Sequence, residues 1–238
     1  MSLTLNMKNK KAEQAADRKR HQLTIKAGRR KEPILKRENP VRTEKPTILI
    51  VCEGKNTEPS YFGQFRLSSA TIYPIGEGYN TISLVKRAVF LSQEKHYDQV
   101  WCVFDKDDFP ASDFNNAIAM AEAKSFGIAW SNQAFEYWLL LHFIDHQGGA
   151  MPRNKYNTKI NKYLQPFGIS YDGNGSKTVT VEMFELLTSI EEQSSRNRTQ
   201  LAIDRAKRNH HQSTFSNPAK QESCSSVYKL VEELLKYI

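Results

Sequence analysis

The sequence predicts an α/β protein built on a parallel β-sheet, and three observations support this fold class. Runs of apolar, β-branched residues occur at 47–52 (TILIVC) and 99–104 (QVWCVF), as buried parallel strands require. Segments with helical periodicity lie between the strand-like runs, and the connections are short. This alternation predicts a sheet of about four parallel strands flanked by helices.

The remaining elements follow in chain order. After the first strand we expect a helix at 57–68, a short strand at 71–75 and a helix at 80–95. After the second strand we expect a helix from about 112, a strand at 126–130 and a helix ending near 144. Beyond Gln147 the alternation stops, and helical segments predict an α-helical C-terminal region. The expected organisation is a basic, disordered N-terminal arm (1–45), an α/β core (46–147) and a helical extension packing on it (148–238).

The positive charge of the chain is concentrated in the arm. Residues 1–45 contain 14 of the 34 Lys and Arg side chains but 5 of the 26 Asp and Glu side chains, so the arm carries a net charge of +9 and the remainder −1. Too few apolar residues are present to fold the arm alone, and either a solubilising tail or a phosphate-binding arm fits its composition. Bulk charge therefore does not identify the body as a nucleic-acid binder.

Cysteine usage and hydropathy indicate a cytoplasmic protein. Cys52, Cys102 and Cys224 are far apart and lack zinc-ligand spacing, so reduced structural thiols are expected. The longest apolar run, at about 137–144, is too short to span a membrane, and no secretory signal is evident.

Acidic residues follow the two clearest strands at the point where each ends. Glu53 comes directly after the first strand, and Asp105 and Asp107 come directly after the second. Ligands of open parallel sheets bind at the carboxyl ends of the strands, so these side chains are expected to converge if the strands are neighbours. Converging carboxylates repel, and Mg²⁺ or Mn²⁺ would relieve the repulsion. A strand-end Asp that only stabilises a turn remains the simpler alternative.

Two further glutamates are candidates for the same site. Glu136 lies in the first turn of a helix that is apolar on nearly all sides and has no Lys or Arg, so its carboxylate needs a metal, a polar network, a distant Arg or a backbone amide as partner. Glu58 lies near the start of the helix after Glu53, where the helix dipole alone would also favour it.

Basic candidates are weaker. Lys55, next to Gly54, is a candidate phosphate contact, although no Walker A motif is present. Arg198, Arg205 and Arg208 can share one face of a predicted helix, which indicates either a phosphate-binding patch or a solvated face.

Four segments together resemble the RloB family of prokaryotic defence-associated proteins. They are ILIVCEGKNTEPSYF, VWCVFDKDD, SNQAFEYWLLLHF and SNPAKQESCSSVYKLVEELL, and the resemblance covers about residues 46–238. It implies a Toprim-like fold, in which a Glu follows the first strand and a D-x-D motif follows a later one. Glu53, Asp105 and Asp107 match this pattern, which implies metal binding by the Asp pair and an acid/base or metal-ligand role for Glu53.

The resemblance also bears on the other two glutamates and on partners. OLD-type nucleases carry a second acidic residue about one turn after the first Glu, and Glu58 is the nearest match, five positions on instead of four. Glu136 has no counterpart in the minimal Toprim pattern. Related defence systems pair such a protein with an ATPase sensor, so a partner of that kind is expected, and a homo-oligomer is left open.

Three functions follow as hypotheses. The first is a Mg²⁺-dependent nuclease acting on RNA, for example tRNA, or on DNA, with Glu53 and Glu136 as catalytic residues and Asp105, Asp107, Glu53 and Glu58 as metal ligands. The second is a non-catalytic nucleic-acid-binding or adaptor protein that retains a Toprim shell. The third, a primase-like nucleotidyl transferase, ranks last because the other modules of primases are absent from the sequence.

Overall fold

The structure, a computed structural model, describes residues 2–29, 45–74, 81–107, 110–147, 149, 151–213 and 215–238. Within these ranges the helices are α1 Ser2–Arg29, α2 Thr57–Gly63, α3 Thr81–Glu94, α4 Ala111–Ala123, α5 Glu136–Leu141, α6 Asn154–Leu164, α7 Val181–Thr188, α8 Arg198–Gln212 and α9 Val227–Leu235. The strands are β1 Ile48–Cys52, β2 Ala70–Pro74, β3 Gln99–Asp105, β4 Gly127–Asn132, β5 Ile190–Glu191, β6 Arg196–Asn197 and β7 Cys224–Ser225.

The main sheet has five strands in the order β2-β1-β3-β4-β7. The four strands that the sequence predicts, β1 to β4, pair in parallel, which confirms the predicted α/β class. The fifth strand, β7, adds antiparallel to β4 through Ser131 with Ser225 and Asn132 with Cys224. From β1 the chain places β2 on one side and β3 on the other, so the strand order reverses between β1 and β3. Such a switch point opens a crevice at the carboxyl ends of the two strands.

Both faces of the sheet are covered, as a parallel sheet requires. Alternate residues of β1 point to opposite faces, because side chains alternate along a strand. Ile48, Ile50 and Cys52 lie in a core shared with α2, α5 and the C-terminal helices. Leu49 and Val51 lie in a second core with α3 and α4. All five side chains are buried, which explains the uninterrupted apolar run.

The region after Gln147 is part of the same compact unit as the sheet. Residues 44–238 cluster into one unit, and residues 1–43 form another. The backbone N–H of Ser226 donates to Trp130 O, and the Trp130 N–H donates to Ser226 Oγ, each at 2.8 Å. The C-terminal segment therefore extends the sheet as well as covering it. A strand of two residues is too short to be predicted from the sequence.

The arm differs from the sequence expectation where it is described. Disorder is expected for residues 1–45, but residues 2–29 form α1, and 30–44 lie outside the described residues. The described side chains of α1, at positions 10 and 13–27, are all exposed. Ala, Lys, Arg, Gln and Glu are strong helix formers, and residues 2–27 contain neither Gly nor Pro, so this helix forms without an apolar face to bury.

Several predicted element ends shift. Helix α2 begins at Thr57 but ends at Gly63, before the predicted end at 68. Its N-cap is Asn56, and the Thr57 hydroxyl pairs with Tyr171 Oη at 3.0 Å. Helix α5 ends at Leu141, before the predicted end near Ile144. The predicted strand at 71–75 and helix at 80–95 are present as β2 and α3, with Ile75 and Asn80 themselves outside the described residues.

His142 is an uncharged member of the core. Its ring is fully buried against Trp138 and Tyr61, and Nδ1 lies 3.1 Å from Trp138 O, to which it donates as Nδ1–H. Burial lowers the pKa of His142 to about 3, because an imidazolium loses its hydration there.

Replacing His142 with Phe is expected to reduce the loss of stability in acid. An unfolded-state His has a pKa of about 6.5, so between that pH and about 3 the unfolded chain binds a proton that folded His142 does not. Stability from this residue is complete above pH 6.5 and falls by up to about 1.4 kcal/mol per pH unit below it. Urea denaturation at several pH values measures the slope. His96→Phe, at an exposed site, serves as the control, and equal slopes for the wild type and His142→Phe would contradict the prediction.

Candidate functional site

Glu53 and Asp105 meet at the switch point between β1 and β3. Cys52 pairs with Val103, which brings the ends of the two strands side by side. The Glu53 N–H donates to Val103 O at 2.9 Å, and the Asp105 N–H donates to Glu53 Oε2 at 3.1 Å. The predicted convergence of these two strand ends is therefore confirmed, and the backbone of one strand fixes the carboxylate that follows the other.

Asp107 turns back toward the same place. Its backbone has a φ of 41°, a left-handed conformation that Asp tolerates better than most residues, and its N–H donates to Gln133 O at 3.2 Å. The Asp107 carboxylate forms an ion pair with Arg153 Nη1. Nη2 of Arg153 lies 4.0 Å from Asp105 Oδ2. The D-x-D motif thus presents both carboxylates to one guanidinium.

Glu58 enters the site from the first turn of α2. Its side chain is 6% exposed, and it lies directly over Gly54 in the loop after β1. A Cβ atom at position 54 would be 2.3 Å from Glu58 Oε2. A side chain at position 54 would therefore force the Glu58 carboxylate to shift from its buried position.

Glu136 is held by a hydrogen-bonded network. It is buried, as the apolar surroundings on α5 predict, and Tyr171 Oη donates to Glu136 Oε1 at 2.9 Å. The hydroxyl of Thr57 is 3.0 Å from Tyr171 Oη and donates to it. Of the partners that the sequence leaves open for Glu136, the structure provides a polar network built on a tyrosine.

Burial and mutual repulsion disfavour the charged forms of three carboxyl groups in the site. Burial, with Asp107 and Glu58 adding to it, raises the pKa of Glu53 to about 7, although the Asp105 N–H opposes the shift. Burial and the charge of Glu136 raise the pKa of Glu58 to about 7. Burial and the charge of Glu58 raise the pKa of Asp105 well above its ordinary value. These carboxylates therefore lie close enough to repel one another in a dry environment.

Sequence reasoning missed three residues of this site, and two of them lie on α6 or at its start. Arg153 is the N-cap of α6; burial alone would lower its pKa, but Asp105 and Asp107 raise it overall. Tyr156 is buried, faces the Gln133 backbone, and has no well-aligned hydrogen bond among the described residues. Tyr171 is the third. The available signal was the excess of carboxylates at the strand ends, which requires a nearby cation such as the guanidinium of Arg153.

The donor set fits Mg²⁺ by chemistry and by charge. Five carboxylates line the site, and carboxylate oxygens are the ligands that Mg²⁺ prefers. Among the described residues, however, no group of three or more His, Cys, Asp or Glu side chains stands ready to hold a metal ion. Arg153 lies against the Asp pair where such an ion would be held. Metal binding at these residues therefore requires their side chains, and that of Arg153, to move.

The predicted phosphate contacts on α8 have protein partners. Arg198 is buried over the Phe143 ring and lies 3.4 Å from Glu191. The other two interact with the end of α5 and the loop after it: Arg205 Nη1 donates to Leu141 O at 2.8 Å, and Arg208 pairs with Asp145. The three arginines do share one face, but it packs against α5 and its loop, where positive charge complements the helix C-terminus. Lys55, by contrast, is exposed beside the acidic site.

Replacing Tyr171 with Phe is expected to destabilise the fold by about 1–2 kcal/mol, because the buried Glu136 carboxylate and Thr57 hydroxyl both lose a partner. Chemical denaturation measures the effect. Tyr163→Phe is the control, since the Tyr163 ring stacks on Phe143 and is only partly buried. Equal stability of the two variants would show that the Tyr171 hydroxyl does not hold Glu136.

The fold and the site define a mixed α/β protein with a buried acidic cluster at the switch point of a mostly parallel sheet. The model of the RloB-like protein family matches residues 48–234, and the chain belongs to this family. No curated protein and no solved structure matches the chain. In the part of the chain that the structure describes, none of the helices has the length and apolar character needed to cross a membrane.

Proposed function

We propose that the chain is a Mg²⁺-dependent nuclease that hydrolyses phosphodiester bonds in RNA, for example tRNA, or in DNA. The observation that carries this proposal is the meeting of Glu53 with the Asp105 and Asp107 pair at the β1–β3 switch point. Buried carboxylates that repel one another destabilise the fold. Binding of a divalent cation and a phosphate is a function that accounts for their presence.

The residues have distinct roles in this proposal. Asp105 and Asp107 hold Mg²⁺, and Glu58 is a further ligand; when bound, the ion stabilises negative charge that develops on the phosphate. Glu53, whose pKa of about 7 suits proton transfer near neutral pH, accepts the proton of the attacking water. The water oxygen bonds to phosphorus as the bond to the leaving oxygen breaks. Glu136, fixed by Tyr171, keeps the inner side of the site polar and ordered.

The test is incubation of the purified full chain with single- and double-stranded RNA and DNA in Mg²⁺, Mn²⁺ or EDTA. Cleavage that requires the metal and disappears in Glu53→Gln supports the proposal. Cleavage that persists in EDTA would count against a metal-dependent nuclease, and cleavage that survives in Glu53→Gln would count against the role of Glu53.

A role in prokaryotic anti-phage defence, with an ATPase sensor as partner, is part of the proposal and is supported by membership of the RloB-like family together with the resemblance in sequence. Plaque counts on bacteria that express the wild type or Glu53→Gln test this role. Equal plating on both strains would contradict it.

One observation favours the adaptor alternative, in which the chain binds nucleic acid without cutting it. Arg153 already neutralises part of the Asp pair, as a structural ion pair would. This alternative predicts nucleic-acid binding that weakens with salt, is unchanged by Glu53→Gln, and is accompanied by no cleavage in any metal.

A further inference from the structure

Arg153 occupies the position of a cation between the two aspartates. One guanidinium nitrogen, Nη1, pairs with Asp107 Oδ1, and the other, Nη2, is 4.0 Å from Asp105 Oδ2. The same two carboxylates are the ligands proposed for Mg²⁺. A guanidinium and a divalent ion about 4 Å apart repel by several kcal/mol even at an effective dielectric of about 20, so they do not share this position.

The Arg153 side chain has room to leave. It is 45% exposed, whereas Asp105 is buried, so the arginine lies on the solvent side of the pair. Its backbone is the N-cap of α6, and the guanidinium is at the end of a long, flexible side chain. Movement of that side chain alone would open the Asp pair without any movement of α6.

We propose that Arg153 is a phosphate-binding residue that divalent metal releases from the Asp105–Asp107 pair. In the metal-free protein it neutralises part of the negative charge of the pair, and when the ion binds it turns outward to the phosphate of the substrate. Guanidinium and phosphate form paired hydrogen bonds, so the released side chain is suited to hold an oxyanion next to the ion. This inference rests on the proposed function, since it uses the same metal ligands.

The inference predicts competition, which metal binding to the full chain measures directly. Titration calorimetry with Mn²⁺ and with Mg²⁺ is expected to show about 10-fold tighter binding to Arg153→Ala than to wild type, because the competing cation is gone. Arg153→Lys, which keeps the charge, is expected to stay near wild type. Arg196→Ala is the matched control, because Arg196 pairs with Asp204 on α8 instead of with the Asp pair.

The second measurement separates a phosphate contact from a structural role. Binding of a labelled RNA oligonucleotide is followed by fluorescence anisotropy in a Glu53→Gln background, which prevents cleavage. Adding Arg153→Ala is expected to weaken RNA binding about 10-fold in saturating Mn²⁺ and to have little effect in EDTA, where Arg153 is engaged with the aspartates. A purely structural arginine would weaken binding equally in both conditions.

The outcomes distinguish the two levels of the proposal. If wild type and Arg153→Ala both bind metal with the same affinity, the competition is overturned while the metal site stands. If RNA binding in Mn²⁺ is unchanged by Arg153→Ala, the phosphate contact is overturned. If neither protein binds Mn²⁺ or Mg²⁺, the metal site of the proposed function falls, and this inference falls with it. Circular dichroism and thermal melts confirm that each variant is folded.

Discussion

Replacing Asp105 with Asn is expected to lower metal-dependent cleavage at least about 100-fold while raising the stability of the metal-free protein by about 1 kcal/mol. The loss of activity follows because a neutral amide binds Mg²⁺ poorly and the stabilisation of phosphate charge is worth several kcal/mol. The gain in stability follows because Asp105 is buried near Glu58 and Asp107, whose charges oppose its own. Cleavage rates and urea denaturation in EDTA measure the two effects.

The opposite signs make this prediction informative. If a carboxylate serves only the fold, its replacement destabilises the protein. If it is maintained for chemistry, its replacement removes charge repulsion and stabilises the protein. Asp204→Asn is the control, because Asp204 is a partly exposed acidic residue of α8 paired with Arg196. An Asp105→Asn variant that is less stable and fully active would show that the acidic cluster is structural.

Replacing Gly54 with Ala is expected to reduce activity by about 10- to 100-fold. The added Cβ would lie 2.3 Å from Glu58 Oε2 and 2.9 Å from Oε1, so the Glu58 carboxylate must move. Displacement of a positioned group by about 1 Å is enough for a loss of this size. Cleavage rate and Mn²⁺ affinity are the measurements, since the displaced carboxylate is a proposed metal ligand.

Two further variants test whether displacement of the Glu58 carboxylate causes the expected loss of activity. Gly63→Ala, at the end of α2, is the matched control, because a Cβ there meets its nearest neighbour, Ile72 Cδ1, at 4.0 Å. It should keep full activity. Shortening the displaced side chain with Glu58→Asp in the Gly54→Ala background should restore part of the lost metal affinity. Full activity of Gly54→Ala alone would show that the position of the Glu58 carboxylate does not matter for cleavage.

The sequence predicts the sheet and the meeting of Glu53 with Asp105 because both follow from short-range signals. A buried parallel strand is a continuous apolar run, and the residue after it lies at the ligand-binding edge by geometry. The burial of Glu136 is predictable for a similar reason, since α5 is apolar on all sides. These inferences need only the local pattern and one assumption, that the strands are neighbours.

The other parts of the site depend on long-range contacts that leave no periodic trace. Arg153 and Tyr171 reach the site from elements that are distant in sequence, and a single Arg or Tyr in a loop-rich stretch resembles any surface residue. The arginines of α8 show the reverse difficulty. Their common face is predictable, but helical spacing does not reveal that this face packs against α5 and the following loop.

The antiparallel strand β7 has a consequence for synthesis of the chain. Because β7 pairs with the end of β4, the strand beside Asp105, this sheet edge is completed only when residues 224–225 have been made. Arg153 and Tyr171 are also translated after β1 and β3, the two strands that carry the acidic residues Glu53 and Asp105. A ribosome-bound chain that has exposed Glu53 and Asp105 therefore lacks the finished site. If the proposed nuclease activity needs the finished site, this order of synthesis would delay that activity until residues 224–225 have left the ribosome.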